Sequence, residues 1–188
     1  MKIYLLTVSI LILLVPLTSF SQEKTFDSLY NAVGLKMSNI SGYGFYYNRK
    51  VSDRVRLQAM GLIYYYYNQS KSDNEIHKNF NYDFGFEIQQ DIYQSPSFRM
   101  FLLAGSYYYY DDDSKEKSTQ SLLSINNSFN VGVGLSGEYL YKRFVISFDI
   151  GYKFFEDNIV ITEDSKRTYP VLKRTTKLGA GLGVGFMF

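Results

Sequence analysis

Residues 176–188 read TKLGAGLGVGFMF, and they count in twos. Thr176, Leu178, Ala180, Leu182, Val184, Phe186 and Phe188 occupy one set of positions; Lys177, Gly179, Gly181, Gly183, Gly185 and Met187 occupy the other. A helix repeats near 3.6 residues, whereas a strand turns successive side chains to opposite faces, so this stretch predicts a strand with one apolar face and one nearly bare face.

The same rule runs upstream. Phe144, Ile146, Phe148, Ile150, Tyr152 and Phe154 alternate with Ser147, Asp149, Gly151 and Lys153. Phe129, Val131, Val133, Leu135, Tyr139 and Tyr141 alternate with Asn130, Gly132, Gly134, Ser136 and Glu138, and Phe80, Tyr82, Phe84, Phe86, Ile88 and Ile92 with Asn81, Asp83, Gly85, Glu87, Gln89 and Asp91. Two further runs carry bulk on both faces. In 54–67, Val55, Leu57, Ala59 and Ile63 oppose Arg54, Arg56, Gln58 and Met60; in 98–110, Phe98, Met100, Leu102 and Ala104 oppose Arg99, Phe101, Leu103 and Gly105. Val33, Leu35 and Met37, then Tyr43, Phe45 and Tyr47, form two short segments about a tight turn at 39–42. Eight strands result. Short connections at 49–53, 94–97 and 142–143 alternate with long polar ones at 68–78, 111–127 and 157–172, so one end of the sheet has tight turns and the other is expected to carry loops.

Composition narrows the function. With 20 Lys and Arg against 18 Asp and Glu, the net charge of +2 excludes a nucleic-acid binder driven by bulk charge. The chain has no Cys, which removes disulfides, thiolate metal sites and cysteine nucleophiles. Its 19 Tyr and 15 Phe with only 3 Pro favour strands. Residues 1–21, MKIYLLTVSILILLVPLTSFS, combine Lys2, an apolar run from Ile3 to Val15 and small residues at Ser19 and Ser21, the layout of a cleavable export signal. A membrane-anchoring helix would need about 20 apolar residues, and Pro16 ends this run too early. Residues 22–188 are then one domain.

Alternation fits an apolar-in soluble barrel as well as an apolar-out membrane barrel, and the second face decides between them. A water-bathed face would be rich in Lys, Glu and Thr; here it carries Gly132, Gly134, Gly151, Gly179, Gly181, Gly183 and Gly185. An eight-stranded barrel is barely wide enough inside for side chains, so small residues belong on its inner wall. The inward face also holds charges of both signs: Asp83, Glu87, Asp91, Glu138 and Asp149 against Lys36, Arg54, Arg56, Arg99, Lys153 and Lys177. Buried charges persist when paired, so these read as structural ion pairs of a packed lumen. A register opposing Ile92 to Phe98 would set Asp91 against Arg99. Ten residues at about 3.3 Å rise and about 40° tilt cover roughly 25 Å, the height of the apolar band of such barrels. Tyr64 to Tyr67, Tyr107 to Tyr110, Tyr152, Phe154 and Phe155 would form one aromatic boundary, and Phe98, Tyr139, Tyr141, Phe144, Phe186 and Phe188 the other.

By this pattern the chain resembles the small eight-stranded bacterial outer-membrane barrels of the OmpA/OmpX type, and its Tyr- and Phe-rich style is similar to members from Bacteroidota. The resemblance covers Leu29 to Phe188. Its most specific element is the ending, where Leu182, Val184, Phe186 and Phe188 resemble the signal read by the outer-membrane assembly machinery. It implies an all-β, closed, antiparallel up-and-down transmembrane barrel of eight strands. It also implies outer-membrane lipid and lipopolysaccharide as surroundings, periplasmic chaperones and the assembly machinery as partners during biogenesis, periplasmic termini and extracellular long loops. The chain has little beyond its first and last strands, so no peptidoglycan-binding domain is expected.

Chemistry finds little support in the residues. His77, the single histidine, lies in a polar stretch; barrel lipid deacylases resemble one another in a Ser two residues after the His, and here that residue is Asn79. Asp83 and Glu87 are paired carboxylates that no substrate reaches in a filled lumen. Asp111, Asp112 and Asp113 lack the Gly and distal Glu of a calcium loop. No catalytic residue, cofactor or metal site is expected. The leading reading is a non-catalytic outer-membrane protein whose barrel anchors extracellular loops for adhesion, surface protection or envelope integrity. A narrow porin-like or small-molecule transport barrel comes second, and an envelope enzyme third.

Overall fold

Every strand edge carries main-chain donors and acceptors that need partners, and a ring of strands satisfies all of them at once. A computed structural model of the chain describes residues 26–70, 75–117, 120–163, 166–167 and 171–188. The export-signal reading of 1–21 lies outside these residues. The strands are β1 (Asn31–Ser38), β2 (Gly42–Ser52), β3 (Val55–Ser70), β4 (Glu75–Gln94), β5 (Phe98–Lys117), β6 (Gln120–Tyr141), β7 (Phe144–Glu163), the two-residue β8 (Lys166–Arg167) and β9 (Val171–Met187), preceded by a 3-10 turn, Phe26–Ser28. Each long strand pairs antiparallel with its neighbours in sequence, and β9 pairs with both β7 and β1. Eight strands therefore close into a ring, with β8 a small addition on β7. Phe188 completes the seam: its N–H donates to the Asn31 carbonyl at 2.8 Å and its carbonyl accepts from the Asn31 N–H at 3.0 Å.

The faces fall as the period predicts. Leu182 and Ile146 are 63% and 59% exposed on the outside, whereas Arg99 and Asp149 are wholly buried inside. In the two blurred strands, Arg56, Gln58 and Met60 of β3 and Arg99, Phe101, Leu103 and Gly105 of β5 take the inner side. No helix of the described residues is long and apolar enough to cross a membrane.

Three expectations need correction. The segments 68–78, 111–127 and 157–172 are not long loops: β3 and β4 pair as far as Ser70↔Glu75, β5 and β6 as far as Lys117↔Gln120, and β7 and β9 as far as Ile159↔Val171. Main-chain pairing is indifferent to side-chain polarity, so the ladder continues where both faces are wet and alternation has vanished from the sequence. At the root of this extension Tyr82 stacks on Tyr110 at 5.3 Å, and the Asn79 side-chain amide donates to Asp111 at 2.8 Å. Arg54 is exposed in the turn between β2 and β3, outside the lumen. Finally, a bulge between Asp91 and Tyr93 shifts the β4–β5 register to Gln94↔Arg99 and Asp91↔Phe101.

The shortest strands of the ring are β1 and β2, and the turn joining them, 39–41, leaves the wall and enters the barrel. Gly42 and Gly44 make this bend with φ of +114° and +128°, a region that side-chain-bearing residues rarely adopt. Ile40 and Ser41 are fully buried. Four inner glycines are their seats. A Cβ on Gly132 would collide with the Ile40 carbonyl oxygen, one on Gly85 would lie 2.5 Å from the Ser41 oxygen, and Gly105 and Gly179 face the same turn. Ile40 packs with Phe101 and Leu103 in a small apolar cluster inside the barrel. At the other end Phe26 and Leu29 fold inward onto Tyr46, Met60, Leu140 and Met187.

Candidate functional site

Between those two stoppers lies a continuous polar network. β1 delivers Lys36, whose Nζ stands 3.0 Å from Glu87 Oε2 of β4 and 2.9 Å from Asp149 Oδ2 of β7. The Ser136 hydroxyl donates to the other Asp149 oxygen at 2.5 Å, and Gln89 Nε2 donates to Glu87 Oε1 at 2.6 Å. Asn48 Nδ2 donates to Gln89 Oε1 at 3.1 Å, extending the chain of bonds to β2.

Arg99 is the second hub. Its Nη1 lies 3.0 Å from Asp91 Oδ1, its Nη2 lies 2.9 Å from Glu138 Oε2, and Nη2 also donates to Gln89 Oε1 at 2.5 Å. Its guanidinium carbon sits 4.1 Å from the centre of the Phe101 ring, so a planar cation is matched to two carboxylates and an aromatic face. Asp91 thus meets Arg99 as the sequence suggested, though diagonally across the bulge. Arg56 does something the sequence did not announce: its Nη2 donates to the carbonyls of Phe26 and Leu29, both at 3.1 Å, and pins the 3-10 turn into the end of the barrel.

Above the 39–41 turn the surroundings change. The Asp83 carboxylate accepts from the Tyr43 N–H at 3.3 Å, and the Tyr43 ring meets Tyr107 edge-on at 6.5 Å. Lys153 and Lys177 lie opposite each other in the β7–β9 register. Both ammonium groups face the Phe155 ring, at 4.7 and 5.4 Å from its centre, and Lys153 also faces Tyr107 at 5.2 Å. Lys177 is exposed and Lys153 half-buried, so these two lysines belong to an open cup and not to the sealed network.

His77 is part of β4, not of a loop. Its Nε2 is 2.5 Å from Asp113 Oδ1 and its ring meets Tyr66 at 5.4 Å. Along β5, Asp112 points to the opposite face from Asp111 and Asp113, so the three carboxylates do not converge. At the seam, Leu182, Val184 and Phe188 face outward, and Phe186 packs edge-on against Phe144 at 5.6 Å.

What this arrangement can do follows from its filling. Arg56, Arg99, Glu87, Gln89, Asn130 and Asp149 are all fully buried and crowd the bore, with a stopper at each end. Among the described residues the middle of the barrel is occupied by these side chains, and its charges are tied together across β1, β4, β5, β6 and β7.

No protein-family model matches the chain, and no curated protein matches it in sequence. Among solved structures it is similar to a major outer membrane protein from Thermus thermophilus, with a TM-score of 0.49 at 10% identity over 84% of this chain and 98% of that one. It is also similar to the outer membrane protease OmpT from Escherichia coli, with a TM-score of 0.47 at 10% identity over 90% and 100% of the two chains. A third likeness is to Ail, the attachment invasion locus protein of Yersinia pestis, with a TM-score of 0.44 at 13% identity over 85% and 97%.

Proposed function

We propose that this chain is a non-catalytic integral protein of a Gram-negative outer membrane, with periplasmic termini and a cell-surface platform built from the extended ends of β3 to β7 and β9. The observation that carries the reading is the inverted distribution of polarity. Phe84, Phe86, Ile88, Phe148, Ile150, Leu182 and Val184 are exposed around the outside while ion pairs fill the centre, an arrangement stable only in hydrocarbon. The partners of this reading are outer-membrane lipid and lipopolysaccharide, with chaperones and the assembly machinery engaged during biogenesis. The surface end, rich in Tyr, Asn and Asp, serves adhesion, surface protection or envelope integrity.

A lumen sealed by Ile40, Ser41 and Phe26 and crossed by paired charges leaves ions no continuous water path. Purified chain in a planar bilayer is therefore expected to show no resolved conductance steps. Regular open-channel steps would favour the transport reading instead. Orientation has its own test. Protease added to intact cells should cut only within 68–78, 111–127 or 157–172; cleavage at 49–53 in unpermeabilised cells would reverse the orientation.

A further inference from the structure

The inward bend of 39–41 leaves part of the wall unbuilt. β2 pairs with β3 only as far as Phe45↔Gly61, and β1 pairs with β9 only as far as Ser38↔Gly181. Beyond those points β3 continues through 62–70 and β9 through 171–179, two edges of equal length, each hydrogen-bonded on one side alone. One main-chain bond, from the Asn39 N–H to the Ala180 carbonyl at 3.1 Å, closes the base of the gap. Among the described residues no strand covers either edge, and β3 and β9 do not pair with each other.

What fits the gap follows from the order of the ring. Lower down, β2 and β1 stand between β3 and β9, so the gap above them is two strand positions wide. β3 runs from the tight turns toward the extended end, and β9 runs back. A strand beside β3 pairs antiparallel by running down and one beside β9 by running up, which are the two arms of one hairpin with its turn pointing at 39–41. Every second residue of each edge directs its N–H and C=O into the gap, and only another main chain offers the matching row. The side chains agree. At the inner positions of β3, Met60, opposite Tyr46 of β2, is 3% exposed, whereas Leu62 is 42% exposed and Tyr64 and Tyr66 follow it. Ile63 and Leu178 are exposed on the two lips. The base of the gap is level with the outward Phe84 and Ile150, and its mouth with polar Lys78 and Glu156, so the occupant is apolar near its turn and polar above.

Charge distinguishes the arms. The β3 edge carries no charged residue, whereas the β9 edge carries Lys173, Arg174 and Lys177 and no acid. Asp157 and Glu156 stand opposite Lys173 and Arg174, but Lys177 stands opposite Lys153 and forms no ion pair among the described residues. Lys153 lies in the field of Asp157 and Asp83, so the unmatched charge belongs to the open edge.

We propose that the gap takes a β-hairpin from a protein outside the cell, which completes the wall by main-chain pairing. A neutral arm descends along β3, and an arm with an acid beside Lys177 returns along β9. This rests on the membrane reading above and names the kind of partner its surface end takes. In the free barrel the open cup lets water serve the two edges, and the hairpin exchanges that water for a ladder. A single strand would leave one edge bare, and a second copy in the same membrane points its own hairpins outward, away from the gap.

The full chain, refolded into phosphatidylcholine vesicles, is titrated with a dye-labelled synthetic hairpin. Its two Thr- and Val-rich arms match the edges in length, are joined by Asn-Gly and carry Glu on one arm only. One companion has Gln in place of Glu; another is N-methylated on the amides that point away from the partner arm. Anisotropy should show binding several-fold tighter for the Glu hairpin than for the Gln form, and none for the N-methylated form. Lys177→Gln should erase the preference for Glu, while Lys50→Gln, at the other end of the barrel, should keep it. The chain has no Cys, so introduced thiols report the arms. On mild oxidation Tyr65→Cys should join a Cys midway along the neutral arm and Thr176→Cys one midway along the acidic arm, whereas Ser114→Cys, on a strand paired on both sides, should join neither. Binding that survives N-methylation, absence of binding by the Glu hairpin, or an equal disulfide yield at Ser114→Cys would overturn the proposal. Heat-modifiable gel mobility reports folding separately: a chain that fails to insert in vesicles contradicts the membrane reading, whereas an inserted chain that ignores the hairpin contradicts the gap's partner alone.

Discussion

Arg99→Leu should lower the stability of the folded barrel by about 3–5 kcal/mol, the range found when one partner of a buried ion pair is removed and the other remains. The substitution strands two carboxylates, Asp91 and Glu138, that now share one guanidinium at 3.0 and 2.9 Å, and it leaves Gln89 Oε1 with Asn48 as its remaining donor. Asp91→Ala is the informative companion. It leaves Arg99 with Glu138 and Gln89, so its cost should be clearly smaller. Urea titrations followed by the mobility difference between folded and unfolded chain would measure both. Equal midpoints for Arg99→Leu and the parent protein would mean that these charges are bathed in water, and the packed lumen would have to be abandoned.

Gly132→Leu attacks the stopper from the opposite wall. The first added carbon already collides with the Ile40 carbonyl and Cγ2, and backbone cannot retreat as a side-chain tip can. Overpacking of this kind costs about 1–3 kcal/mol when the surroundings yield. Here the yielding part is the 39–41 turn, which should be driven from the bore. The expected outcome is a barrel that still folds with a lower urea midpoint and still shows no conductance steps, because the ion network and the Phe26 stopper continue to fill the bore. A fully stable Gly132→Leu barrel would show that the turn has no fixed seat there.

Particular places show how far the residues themselves announced this molecule. The alternation in 176–188, 144–154, 129–141 and 80–92 marked strand, face and inward charge because hydrocarbon on one side and packing on the other leave only one pattern free. The glycines were legible as inner-wall residues; Gly181, Gly183 and Gly185 do make room for polar side chains, whereas Gly85, Gly105, Gly132 and Gly179 make room for a piece of main chain that the pattern did not announce. A clue was present in the first two strands, whose runs 33–37 and 43–47 are too short to span the band and have Gly42 and Gly44 at their junction. Arg56 binding the carbonyls of Phe26 and Leu29 had no signal at all, since carbonyl acceptors are present at every position. The extended ladders in 68–78, 111–127 and 157–172 were missed because a sheet wet on both sides has no period to read. Lys153 and Lys177 were read as lumen charges, yet they stand beside an opening that only the pairing registers of β1 and β2 expose.

The inturned turn also acts across the sheet. Its seats lie on β4, β5, β6 and β9, whereas its two stems are β1 and β2. A cylinder otherwise held strand to neighbouring strand therefore gains a brace that spans its interior, so loosening any one of those seats should be felt by the β1–β2 hairpin on the far side.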